Sequence, residues 1–138
     1  MAKRKPPHPE QAARNPALKR VYDPPAAADG TRILVDRLWP RGIAKAKARV
    51  DLWLRDLAPS DALRRRFHHE PETWADFRAA YAGELKAPAA EAAVAELRAR
   101  MRQGPVTLLY AARDEERNNA AALRDWLRRK RLPRRRQS

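Results

Sequence analysis

A chain of 138 residues is long enough to bury one hydrophobic core and too short for two, so a single site is sought. It has no cysteine, which excludes disulfides, thiolate nucleophiles, Cys-type zinc sites and persulfide chemistry, and no window approaches the roughly 18 apolar residues of a membrane span. The formal charge of +14 points first to nucleic acid, but residues 1–17 hold four basic side chains against one acid and residues 128–138 hold seven against none, leaving 20 basic and 16 acidic ones in between.

Residues 1–17 are rich in Pro, Ala and charge without period and read as a flexible basic extension, with no apolar segment of the kind that directs export. From Leu18 to Tyr22 a short apolar and basic run stops at Asp23-Pro24-Pro25. A β-branched run from Thr31 to Asp36 follows the turn signal Asp29-Gly30. Both read as strands, the second more buried. Val50 to Arg55 alternates in a way that suits a half-buried strand, although a helical turn also accommodates it.

Ser60 is a suitable N-cap for a helix carrying Leu63 and Phe67 on one face. A second helix is expected from near Pro71, with Trp74, Phe77, Tyr81 and Leu85 as a core stripe rather than a cofactor box. A third, about residues 89–102, turns Val94, Leu97 and Met101 inward and ends at Gly104-Pro105. The strongest strand follows, because Val106-Thr-Leu-Leu-Tyr-Ala111 is an apolar run of the kind buried on both faces of a parallel sheet. A polar loop, Arg113 to Asn118, then leads into a helix from about Asn119 through Leu127, and Arg128 to Arg136 reads as a disordered Arg-rich tail. These elements predict one α/β domain over residues 18–127, a mostly parallel sheet of about four strands flanked by helices.

Two apolar strands thus run out into polar loops, one carrying Asp36, Arg37, Trp39 and Arg41, the other Arg113, Asp114, Arg117 and Asn118. If the strands are parallel neighbours the loops meet, and their arginines with the amides of the next helix would favour an anion such as a phosphate, sulfate or carboxylate. Asp36 and Asp114 are then the candidate catalytic or orienting groups, Trp39 a pocket wall, and Arg37, Arg41, Arg113, Arg117 and Asn118 the ligand-binding set. The competing reading pairs Asp36 or Asp114 with Arg37 or Arg113 as ion pairs that only tie the loops. The glycines of a dinucleotide fingerprint or P-loop are absent, so no cofactor is expected. His68 and His69 are adjacent and do not suit a shared metal; His69 either caps its helix or serves as an acid or base, and no metal is expected. Trp39 and Trp53 either stack on a ligand or plug the core.

At Leu34-Val-Asp-Arg-Leu-Trp-Pro-Arg-Gly42, Leu57-Ala-Pro-Ser60 and Leu108-Leu-Tyr-Ala-Ala-Arg-Asp114, in this order and spacing, the sequence resembles the YeaO-like bacterial proteins, a domain of unknown function numbered 488. The likeness runs from about Lys19 to Leu127 and implies a compact cytoplasmic α/β protein with no established activity. Positions matching the family motifs include Asp36, Arg37, Trp39, Arg41, Ser60, His69, Trp74, Tyr110, Asp114 and Asn118. The family usually carries histidine where this chain has Arg117, and glycine where it has His68; the first exchange removes a possible acid/base group and adds a cation. More loosely, the pattern of strand, loop and helix looks like a rhodanese cradle, in which a chain without cysteine cannot transfer sulfur.

The expected function is the binding of a small anionic ligand at the strand-end loops, with hydrolysis or group transfer as the compatible chemistry if there is turnover. The alternative is weak, non-specific nucleic-acid binding through the Arg-rich tails. No membrane partner is expected, and the sequence leaves the oligomeric state open.

Overall fold

The computed structural model describes residues 15–69 and 74–129. Of the two basic termini, residues 1–14 and 130–138 lie outside the described residues, as do the side chains of His68 and His69. Four strands, β1 (Ala17–Arg20), β2 (Thr31–Leu34), β3 (Leu52–Trp53) and β4 (Val106–Tyr110), form one sheet in the order β1-β4-β2-β3. Every pairing is parallel, with Leu18 opposite Leu108 and Ile33 opposite Leu108 on the other side of β4. Among the described residues five helices accompany it: α1 (Lys45–Ala48), α2 (Asp61–His69), α3 (Trp74–Glu84), α4 (Pro88–Gln103) and α5 (Asn119–Arg129). Short 3-10 turns lie at Ala27–Asp29 and Arg55–Leu57. The small parallel α/β sheet expected from the sequence is therefore the fold. Four details differ: the expected strand at Val50–Arg55 contracts to two residues before a 3-10 turn, the short helix α1 stands where none was expected, Ala17 belongs to β1 rather than to the basic extension, and α5 continues through Arg128 and Arg129.

Strand alternation sorts the core into two layers. Ile33, Val35, Leu108 and Tyr110 face a large cluster supplied by α2 to α5, including Phe77, Tyr81, Leu97, Met101 and Leu123. Leu34 and Leu109 point the other way, where Val21, Ala48, Trp39, Ile43, Val50 and Trp53 cover them. With apolar partners on both faces, β4 is buried along its whole length, which is why its sequence is a continuous apolar run. Among the described residues, no helix is long and apolar enough to cross a membrane.

The amino ends of β2 and β4 are locked by a close approach and a buried ion network. Gly30 has φ 65° and lies where a Cβ would fall 2.2 Å from the Pro105 carbonyl oxygen. That contact exists because Thr31 N–H donates to the same carbonyl at 3.0 Å. Beside it, the buried Arg32 and Asp29 pair at 2.5 Å. Arg32 also donates to the carbonyls of Ala48 and Arg49, while Lys19 donates to Asp29 at 2.9 Å. Burial pushes the Asp29 carboxyl up, but donation from Ala26 N–H, Lys19 and Arg32 outweighs it and holds the group below the usual carboxylate range. A buried charge so fully hydrogen-bonded fixes an arrangement more than it adds stability.

Replacing Gly30 by Ala should therefore cost about 2–4 kcal/mol, from left-handed strain plus the carbonyl clash. Gly83→Ala in α3, where a Cβ meets nothing within 4 Å, should gain up to about 1 kcal/mol from helix propensity. Urea unfolding of the two variants measures both.

Candidate functional site

β2 and β4 end side by side, so the loops that follow them meet, as their parallel pairing requires. Asp36 is the point of contact. Its Oδ2 accepts from Ala111 N–H at 3.0 Å and its Oδ1 from Asn119 Nδ2 at 2.9 Å. Asn119 Nδ2 donates as well to the Val35 carbonyl at 3.0 Å, and Trp53 Nε1 to the Asp36 carbonyl at 2.7 Å. One residue thus ties the ends of β2, β3 and β4 to the first residue of α5. Burial pushes the Asp36 carboxyl above the ordinary carboxylate value, although the bonds from Asn119 and Ala111 and the charge of Arg64 pull the other way.

The loop after β4 is ordered by its own polar groups. Asp114 Oδ1 accepts from Glu116 N–H at 2.9 Å and Arg117 N–H at 3.0 Å, an Asx turn. The bond from Arg117 and then that from Glu116 hold its carboxyl low. Asn118 is buried and caps α5, its Oδ1 accepting from Ala121 N–H at 2.8 Å while its Nδ2 donates to the Asp114 carbonyl. Neighbouring main chain is pinned too: Arg20 donates to the carbonyls of Ala111 and Ala112, and Tyr22 Oη to that of Arg41.

Between these loops and α2 opens a cleft of about 790 Å³, within the range of small-molecule sites. It brings together every residue singled out from the two loops: Asp36, Arg37, Trp39, Arg41, Arg113, Asp114, Arg117 and Asn118 all line it. Arg64 and Asp61 of α2, Phe67, Phe77 and Asn119 join them. The ion pairs that the sequence offered as an alternative do not form, since both aspartates bind amides instead. Arg37 donates from Nη2 to the Ala58 carbonyl at 3.3 Å, and Asp61 pairs with Arg64 at 3.3 Å across exposed side chains. The exposed guanidiniums of Arg41, Arg113 and Arg117 make no hydrogen bond or ion pair among the described residues. Trp39 is both wall and core: it lines the cleft, packs edge-on against Trp53 at 5.6 Å, and donates from Nε1 to the Ile43 carbonyl at 2.7 Å. The acid or base role considered for His69, last residue of α2, falls on a side chain outside the described residues.

Asn119 and Arg64 are among the site residues the sequence reading missed, with Tyr22, Leu38 and Asp61. The doublet Asn118-Asn119 was the available signal, since one asparagine suffices to cap a helix and leaves the other a different task. Arg64 lies in the run Arg64-Arg65-Arg66, where nothing in the sequence marks the one that faces a cleft.

With this geometry in place, comparison with known proteins is informative. The model of a family described as the inactive DUF488-N3 subclade matches residues 16–137. The chain belongs to that family. It is 46% identical to Escherichia coli YeaO, named as an uncharacterized protein, over 83% of this chain and 97% of YeaO. It is 44% identical to the uncharacterized proteins Mb3100c of Mycobacterium bovis and Rv3073c of Mycobacterium tuberculosis, over 80% of this chain and 91% of each. No solved structure matches it. In this DUF488-N3 chain the quoted motifs around Asp36 and Asp114 are the two loops of the cleft.

Asn119→Ala should cost about 1–3 kcal/mol, since it strips a donor from both Asp36 and the Val35 carbonyl. Asp36→Asn sets an amide opposite a donor and should cost a similar amount. Asp36, with its folded-state pKa raised, contributes stability that is fully present below its unfolded pKa and lost as the pH rises through the folded one. The stability advantage of the parent over Asp36→Asn should therefore be larger at about pH 4 than at about pH 7. Denaturant titrations at the two pH values measure it, and an advantage that shrinks in acid contradicts the assignment.

Proposed function

We propose that this domain binds a small anionic ligand in the cleft between the loops after β2 and β4, and that it binds without turnover. One imbalance carries the reading. Five arginines line the cleft against three aspartates. Asp36 and Asp114 spend their carboxylates on amides and Asp61 faces Arg64, leaving to a ligand Arg41, Arg113 and Arg117, and with them Arg37, which is held by a single 3.3 Å bond. Guanidiniums beside half-buried apolar walls favour a charge-assisted, bidentate grip on a carboxylate or phosphate.

Support for binding over catalysis comes from side-chain chemistry. Among the described residues, the cleft lining includes no serine, threonine, cysteine, histidine or lysine. Ser60, nearby in sequence, is committed to Glu84 through its Oγ at 2.6 Å and to the cap of α2 through Leu63 N–H at 3.1 Å. Asp36 retains a raised pKa suited to a base, yet both its oxygens hold the loops together. The family's description as inactive agrees with this reading. We place the protein in the bacterial cytoplasm, consistent with its lack of cysteine and the organisms of its relatives.

The test follows the melting temperature of the full chain against inorganic phosphate, carboxylic acids, phosphometabolites, nucleotides and short oligonucleotides, beside an Arg113→Ala/Arg117→Ala variant. A ligand at a hundred times its Kd adds about 2.7 kcal/mol and should raise melting by several degrees. A shift with one anion class in the parent and none in the variant supports the site. If only oligonucleotides act, with a steep salt dependence and equally on the variant, binding belongs to charges outside the cleft and the reading is wrong.

A further inference from the structure

Resting on that reading, we infer that the cleft's ligand is an organic acid with an apolar or aromatic body, its carboxylate taken by Arg37 and its body laid on the apolar wall beside it. Two independent observations lead there. The first concerns Arg37. Its Nε is enclosed and has no acceptor, and its one hydrogen bond is the 3.3 Å contact from Nη2 to the Ala58 carbonyl. An enclosed N–H without a partner is costly. Of the four such side-chain nitrogens, those of Arg37, Arg78, Arg124 and Trp126, only the one on Arg37 belongs to a residue lining this cleft. A carboxylate presents two oxygens to the two Nη atoms of a guanidinium, so one docked end-on replaces a long bond by two charge-assisted ones on the side chain that the fold leaves least satisfied. Lysine offers a point charge with no such fork.

The second observation is apolar. The two exposed large hydrophobic side chains among the described residues are Leu38, 68% exposed, and Tyr22, 38% exposed, and both line this same cleft. The half-buried Trp39 and Phe67 line the cleft with them, so three of these four apolar side chains are aromatic. Leu38 lies directly beside Arg37 in sequence, and Pro59 follows Ala58, whose carbonyl Arg37 holds. Arg37 is half-buried and shares the cleft lining with Leu38, Ala58 and Pro59, whereas Arg41, Arg113 and Arg117 are solvent-exposed. A ligand of pure charge, such as inorganic phosphate, would use the exposed arginines and leave both Arg37 and the apolar wall unused.

Calorimetric titration of the full chain with benzoate, acetate and inorganic phosphate tests this, with Arg37→Lys and Leu38→Ser variants checked for unchanged circular dichroism and melting. Benzoate should bind at least about tenfold more tightly than acetate, because burial of the ring adds to the same carboxylate contact. Arg37→Lys should weaken benzoate by roughly tenfold through loss of the fork. Leu38→Ser, at an exposed position that folding does not need, should weaken benzoate by a few fold and leave phosphate unchanged. Equal affinities for benzoate and acetate, or a benzoate affinity indifferent to both variants, overturn the inference. If phosphate binds and benzoate does not, the inference falls while the anion site stands; if neither carboxylates nor phosphate bind, both fall.

Discussion

Parallel strands that stop side by side leave two loops leaving in the same direction, and something has to hold those loops at a fixed separation. Here that is the Asp36 carboxylate, whose oxygens receive one N–H from the end of β4 and one from the first residue of α5. Because the same residue's carbonyl takes the Trp53 indole, the constraint extends to the edge of the sheet. A charge was used where a neutral amide would offer a donor on one side. Two acceptors are needed in one place, and an ionised carboxylate supplies only acceptors. Its cost is seen in the raised pKa that burial imposes.

The two ends of the sheet treat charge differently. At the amino end, Asp29, Arg32 and Lys19 form a closed set in which cations meet a carboxylate or a carbonyl. Acid weakens this end, because a carboxyl held low contributes stability that is lost as the pH falls through its folded value. At the carboxyl end the acids are satisfied by amides instead, and the arginines are left in excess. Amides meet the carboxylates' hydrogen-bonding capacity without engaging a guanidinium, so Arg41, Arg113 and Arg117 stay unpaired among the described residues, and five arginines against three aspartates leave that end a positive balance. This is the physical difference between a structural ion cluster and a receptor.

How much of this was legible in the sequence follows from the range of the interactions involved. β4 was plain because burial on both faces demands a continuous apolar run, and its neighbour β2 because a β-branched run behind a glycine turn has few other readings. From those two, the meeting of the loops and the residues of the cleft followed. Arg32 was opaque: in a strand a lone charge reads as outward-facing, and only the 3-10 turn that brings Asp29 back beside it makes burial tolerable. The helix Lys45–Ala48 is too short to show a helical period. The two roles of Asn118 and Asn119 could not be separated either, because which asparagine caps and which reaches 83 residues back to Asp36 depends on the placement of β2.

The same logic separates Asp36 from Arg37, neighbours in one motif with opposite fates. Asp36 has every lone pair it needs met by donors that the fold itself supplies, so a ligand would have to displace structural bonds to reach it. Arg37 has one long bond and an enclosed N–H with none. Folding normally leaves few buried donors without acceptors, and the exceptions call for a reason. Arg78, Arg124 and Trp126 do not line this cleft, whereas Arg37 does, in a lining whose arginines outnumber its acids. The residue that sequence reasoning ranks first for chemistry is thus the one that builds the site, and the residue beside it is the one left open to be used.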